Sequence, residues 1–230
     1  MEKTEKAVRR PQIGAVTWTG TLEVLVALAL ALAFGYAFFE LAVDVRAGDT
    51  FLFDRMLMDA LQRLSSPWLT AAMLLITQSA AGSSTALLAS ALSAYWWLQA
   101  RRRSEAIVLA ITLAGSAILG WALKLAFVRP RPHLIPWLTA AGGWSFPSGH
   151  TLNAVVLAGL LAWLVGWRLG GWRRATFEAG VALWAALVGL SRVYLGVHYP
   201  SDVLASVAVG GLCLLAAWGV VRFIHTRQRV

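Results

Sequence analysis

Three short stretches of this 230-residue chain hold the residues whose types and spacing suit chemistry. The first, KLAFVRPRP, carries Lys124, Arg129 and Arg131; the second is Pro147, Ser148, Gly149 and His150; the third, SRVYLGVHYPSD, runs from Ser191 and Arg192 through His198 to Asp202. Arginine offers a planar fork of donors that matches phosphate oxygens, and lysine adds a point charge. A Ser-Gly turn that opens a helix presents backbone N–H groups at the positive end of a dipole. The combination describes an anion cradle. Each hydrogen bond to a charged group contributes about 1.5–3 kcal/mol, so several can hold a phosphate and favour the charge distribution of its transition state. Gly149 lets the backbone approach such a ligand closely.

His150 and His198 add proton and nucleophile chemistry, since an ordinary imidazole is available in both forms near neutrality. His198 and Asp202 are four residues apart. On a helical turn, that spacing lets the carboxylate accept from one ring nitrogen and leaves the other free to attack phosphorus. His150, arriving from another segment, can protonate the leaving oxygen. Each residue alone has an ordinary reading: Lys124 snorkels to an interface, Arg131 and Arg192 anchor headgroups, Asp202 caps a helix, and His198 packs as a neutral ring. Their number on one side of the chain argues for a site.

The elements that must position them are membrane helices. Apolar residues make up 59% of the chain and charged residues only 13%, against about 45–50% and 25% in a soluble domain. Mean hydropathy is +0.67, so the net charge of +9 reads as a membrane-orientation signal and not as a nucleic-acid surface. Twelve tryptophans suit the membrane–water interface. The single cysteine, Cys213, excludes an intrachain disulfide or a cysteine-based zinc cluster, and within an apolar run it reads as a small buried hydrophobe.

Six apolar runs are expected to cross a bilayer, at 21–39, 68–98, 106–127, 151–165, 177–190 and 203–223, giving an all-α six-helix bundle in a single domain. The second run is over-long and is expected to tilt or to hold an interfacial turn near Ser65, Ser66 and Pro67; the fourth and fifth are short and must recruit flanking residues. The first exceeds a signal-peptide core and lacks a cleavage site, so it reads as an uncleaved helix after a cytoplasmic tail, 1–20. Six spans put 13 of the 20 basic residues on the side of both termini and 7 on the other. The positive-inside rule then makes the termini cytoplasmic and turns all three polar stretches outward. Residues 51–64 mix apolar side chains with Asp54, Arg55, Asp59 and Arg63, the pattern of an amphipathic interfacial helix or of a short packed one.

The three stretches resemble the signature of the type 2 phosphatidic acid phosphatase family. K-x6-R-P is met by Lys124, Arg131 and Pro132, P-S-G-H by Pro147 to His150, and S-R-x5-H-x3-D by Ser191, Arg192, His198 and Asp202, in order and at full spacing. The resemblance implies a lipid phosphatase of the bacterial inner membrane that needs neither metal nor other cofactor. In it His198 becomes a phosphohistidine, Asp202 orients it and His150 serves as acid and then as base. Lys124, Arg131, Ser148, Gly149 and Arg192 bind the phosphate. It also implies a phosphorylated membrane lipid as partner: undecaprenyl diphosphate first, then phosphatidylglycerophosphate or phosphatidic acid. Arg129 and His133 stand outside the signature, close enough in sequence to contribute to the site, and read equally as headgroup contacts or surface groups; Asn153 has no assigned direction.

Three rivals remain at this level. A metal-dependent hydrolase would use His150, His198 and Asp202 as ligands, but three cations beside them repel a divalent ion. A transporter or flippase would place its charges near the midplane of discontinuous helices, and Gly82, Ser83 and Ser84 are the one feature in its favour. A lipid phosphotransferase would use the same site.

Overall fold

The computed structural model describes residues 18–48, 51–99 and 102–227; the tail at 1–17, Arg101 and Arg229 of the charge count lie outside them. Every regular element among the described residues is helical. α1 (Trp18–Ala47), α5 (Arg103–Phe127), α6 (Gly149–Leu164), α7 (Gly171–Tyr194) and α8 (Pro200–Arg227) include five stretches long and apolar enough to cross a bilayer. α3 (Pro67–Ser79) and α4 (Gly82–Leu98) together form a sixth candidate, bent by 47° between them. The fourth and fifth runs do recruit their flanks, since α6 starts at Gly149 and α7 extends from Gly171 to Tyr194.

The over-long second run is preceded by one turn and broken by another. The chain turns at 64–66, where Ser66 is extended and Pro67 opens α3 with the fixed φ that suits a first helical position. It bends again at Ala80 and Ala81, a break that frees carbonyls from their intrahelical partners. Asn153 of α6 donates to one of them, the Ala80 carbonyl, at 3.4 Å, which gives that side chain its direction. α2 (Leu52–Arg63) is a helix, as the 51–64 pattern predicts. It turns Asp54 and Met58 inward and leaves Leu52 and Met56 exposed.

α6 is the axis of the bundle. It packs on α4, α5, α7 and α8, and its Leu152, Val156 and Leu160 are fully buried against Leu109, Leu113 and Trp96. Between membrane helices the alternative to such contacts is lipid and not water, so this face holds the bundle together by close van der Waals packing. A Cβ on Gly159 would lie 2.2 Å from Leu214 Cδ1 of α8, so the absent side chain is what lets the two helices approach so closely. Cys213 is half-buried beside this core. α1 is peripheral: it packs on α8 and leaves Leu22, Leu25, Leu32 and Phe39 exposed, a face suited to lipid. Helix direction then decides where function can sit. α5 and α7 end, and α6 and α8 begin, beside one another, so the three polar stretches meet at one end of the bundle.

Candidate active site

His198 stands on the five-residue link between α7 and α8. Gly196 makes that link possible: its φ is +77°, and a Cβ there would sit 2.8 Å from the Pro136 carbonyl oxygen, so both conformation and space require glycine. The amides of Gly196 and Val197 bond back to the Val193 and Arg192 carbonyls, while Leu138 N–H donates to Leu195 O at 3.0 Å. The imidazole is only 2% exposed. Its Nδ1 lies 3.4 Å from Asp202 Oδ2 and 3.3 Å from Ser145 Oγ, and its Nε2 lies 3.2 Å from Arg131 Nη1. Burial pushes the ring's pKa down from 6.5 to about 4, against the upward pull of Asp202, so the ring is neutral at pH 7 and Nε2 carries a lone pair when Nδ1–H faces the carboxylate.

Asp202, in the first turn of α8, is fully buried and fully engaged. Oδ2 accepts from Ser145 Oγ and from Tyr199 N–H at 2.9 Å, and Oδ1 accepts from Arg129 Nη1 at 2.5 Å. Arg129 also donates to Ser201 Oγ at 2.8 Å and reaches Asp54 Oδ2 at 3.4 Å, with its guanidinium carbon 4.1 Å from the centre of the Tyr199 ring. Asp54 accepts the Ser201 N–H and hydroxyl at 2.8 and 2.7 Å. Burial pushes the Asp54 carboxyl up while Ser201 and Arg129 pull it back. Arg129 is therefore not a surface group, whereas His133 is exposed.

Arg131 and Lys124 act electrostatically on His198, and all three remaining cations, Lys124, Arg131 and Arg192, act on His150. Arg131 donates to the carbonyls of Gly142, Gly143 and Val197 at 2.6, 3.1 and 2.7 Å, which clamps the 128–148 loop over the link. Lys124 Nζ donates to the Trp144 carbonyl at 2.6 Å. Arg192 is 4% exposed and donates through Nη1 to Thr77 Oγ1 of α3 at 2.8 Å, while its Nε is buried with no partner. An unpaired buried donor on a cation is costly, and it invites an anion. His150, in the first turn of α6, lies within electrostatic reach of Arg192, His198, Arg131 and Lys124. It shares with Arg192 an open cleft of about 550 Å³ whose other walls are Leu74, Leu75, Thr77 and Gln78 of α3 and Thr139 of the loop.

Ser148 is the N-cap of α6. It receives a hydrogen bond from Thr151 Oγ1 at 3.0 Å, and its carbonyl accepts from Ser206 of α8 at 2.9 Å, which fixes the start of one helix against the other. A Cβ on Gly149 would point to Lys124 Cε at 4.0 Å, so Gly149 borders the same space as the lysine. Every residue singled out by spacing thus lies at this end of the bundle.

Sequence reasoning missed Asp54, Ser145, Ser201 and Thr77. Ser145 stands two residues before the Pro-Ser-Gly-His stretch, and a seryl hydroxyl there was a legible candidate. Asp54 was visible only as one polar position of an amphipathic helix, and nothing local distinguished it from Asp59. Among the described residues no three His, Cys, Asp or Glu side chains group so as to hold a metal ion.

The sequence profile of the PAP2 superfamily matches residues 105–226, which contain all three polar stretches. This chain belongs to the PAP2 superfamily. Among PAP2 relatives, phosphatidylglycerophosphatase B of Bacillus subtilis strain 168 is 32% identical over 123 residues, covering 52% of this chain and 59% of that protein. A putative undecaprenyl-diphosphatase of Escherichia coli K12, YbjG, is 32% identical over 120 residues, covering 50% and 57%. The matched stretch thus spans little more than half the length of either relative. In three dimensions the likeness is broader. The crystal structure of a transmembrane PAP2 type phosphatidylglycerolphosphate phosphatase from Bacillus subtilis superposes with a TM-score of 0.76 at 27% identity, covering 84% of this chain and 96% of that one. For Aquifex aeolicus LpxE the TM-score is 0.60 at 25% identity, with 74% and 96% covered.

Proposed function

We propose that this chain is a membrane lipid phosphatase that hydrolyses a phosphomonoester or diphosphate headgroup through a phosphohistidine. The observation that carries the reading is the setting of His198: one ring nitrogen faces Asp202 and the other faces the guanidinium of Arg131. A phosphoryl group drawn to Arg131, Lys124 and Arg192 and to the free N–H groups at the start of α6 would present phosphorus to Nε2. Nε2 forms a bond to phosphorus as the bond to the leaving oxygen breaks, and His150 supplies the proton that oxygen takes up. Asp202 holds the Nδ1–H and stabilises the charge the ring acquires. In the second half His150 accepts a proton from water as its oxygen bonds to phosphorus, the N–P bond breaks, and inorganic phosphate leaves.

The lipid reading rests on the setting of the site and on the relatives' names. The cleft shared by His150 and Arg192 has an apolar wall from α3, so a headgroup can enter while its chain stays in the bilayer. Relatives named as undecaprenyl-diphosphatases and phosphatidylglycerophosphatases support undecaprenyl diphosphate as first choice, then phosphatidylglycerophosphate or phosphatidic acid. With α3 and α4 taken as one bent span, the chain crosses the membrane six times as a single domain, the termini are cytoplasmic and the site faces the periplasm or exterior. α2 then lies at the outer interface with Leu52 and Met56 toward lipid.

Phosphate release from these lipids and from lipid A, by purified wild type and His198→Ala in detergent with EDTA, tests the reading. Release by wild type alone, undiminished by the chelator, is expected. A loss of activity restored by a divalent cation would overturn the metal-free mechanism. A phosphorylated enzyme that discharges only to an added lipid acceptor would make the chain a phosphotransferase. Labelling of a cysteine placed at exposed Ala140, in the loop on the same side as the site, only from the cytoplasmic side would reverse the orientation.

A further inference from the structure

A second buried charge centre lies behind the catalytic carboxylate, and no step above uses it. Arg129 bonds the Asp202 oxygen that does not face His198. The same guanidinium nitrogen reaches Ser201 Oγ, the other reaches Asp54, and the ring of Tyr199 covers its face. Asp54, fully buried, comes from α2 and takes both the N–H and the hydroxyl of Ser201. It thereby holds the first turn of α8, one residue from Asp202. A planar fork can serve two carboxylates and a hydroxyl at once, whereas a lysine ammonium at the end of a flexible stem cannot keep that geometry. With its donors turned to these groups and only 6% of its surface exposed, Arg129 is not disposed to bind substrate.

We propose that Arg129, held in place by Asp54 of α2, is a positioning residue that fixes the orientation of Asp202 and offsets part of its charge, so that His198 is presented to phosphorus at the correct angle. This rests on the hydrolase reading above and deepens it. Two carboxylates share one guanidinium, so the two partners act on His198 with opposite sign. Removing Arg129 leaves two buried negative charges and makes a proton on His198 easier to hold; removing the Asp54 charge leaves Arg129 wholly on Asp202 and makes it harder. The other charged and titratable groups around His198 are unchanged in each case: Lys124 from α5, Arg131 from the loop and His150 from α6, with Arg192 of α7 beyond His150, Tyr199 beside the ring, and Arg55 of α2 behind Tyr199. α1 packs apolar Phe38, Leu41, Ala42 and Val45 near the start of α8.

The test is phosphate release from phosphatidic acid in mixed micelles, as a function of pH, by the purified full chain and by Arg129→Lys, Arg129→Met, Asp54→Asn and the Asp54→Asn/Arg129→Met double variant. Both Arg129 variants should lose about 10- to 100-fold in kcat, the size of effect seen when a supporting partner of a catalytic group is removed, with little change in KM. The acid limb of kcat/KM should move up by about half a unit to one unit in Arg129→Met and down in Asp54→Asn. In the double variant, where one charge of each sign is gone, it should return toward wild type. A merely structural role would lower the folded fraction in every variant without moving the limb. Wild-type kcat and an unmoved limb in Arg129→Lys and Asp54→Asn would overturn the proposal, and those two variants decide it if Arg129→Met does not fold. An inactive wild type would instead overturn the hydrolase reading and this role with it.

Discussion

His198 separates two polar regions built on opposite principles. On its Nε2 side stands Arg131, with Lys124 in electrostatic reach and Arg192 beyond, beside His150; none of the three forms an ion pair among the described residues, and the Nε of Arg192 is buried without a partner. On its Nδ1 side stand Asp54, Asp202, Ser145, Ser201 and Arg129, where two carboxylates and a guanidinium bond one another. The second region is satisfied by itself, as a buried network must be if it is to hold a fixed shape. The first is left unbalanced at a cost in desolvation, and on the proposed function the missing charge is the one a phosphorylated substrate brings. The difference teaches how to tell a binding half of a site from a supporting half: one lacks counter-charges, the other contains them.

That contrast can be broken most severely at its hinge. His198→Ala should abolish phosphate release, by about 10⁴-fold or more, in a protein that still purifies as a folded species. Arg192→Met should cost about 10²–10³-fold in kcat/KM and weaken inhibition by inorganic phosphate, yet hold or raise the unfolding midpoint in detergent, because removing a buried cation that has no counter-charge and an unpartnered Nε outweighs the lost bond to Thr77. Arg129→Met should do the reverse to stability and lower it by about 3–5 kcal/mol, since it strands two buried carboxylates. Similar stability losses for the two arginine variants would erase the distinction between the regions.

The pH dependence sharpens the comparison further. The unfolded imidazole binds a proton near 6.5, whereas the native one takes it up only at about 4. Folding stability should therefore be level above pH 6.5 and decline as pH falls from there toward 4. In the free enzyme kcat/KM should stay level through pH 6 and fall near pH 4. An acid limb at 6.5, measured on phosphate release, would mean that His198 is solvated. The smallest effect is expected at Gly196→Ala, which should cost about 1–3 kcal/mol through positive φ and the Pro136 carbonyl, read as a lowered unfolding midpoint.

Residue type and spacing alone determined much of this protein. Apolar runs of bilayer length define membrane helices because a backbone in lipid must satisfy its own hydrogen bonds, and α1, α5 and α8 lie where the runs predict. His198, Asp202, His150 and the three cations were legible because signature residues keep fixed distances along the chain. Tertiary structure alone decided the rest. The second bend at Ala80 and Ala81, the direction of Asn153 and the burial of Arg129 depend on neighbours from other helices. Asp54 illustrates the reason. It lies 148 residues before Asp202, and what makes it matter is a shared guanidinium and a serine on α8. A contact between distant segments leaves no periodicity or spacing to read, so only the packing of α2 against the start of α8 reveals it.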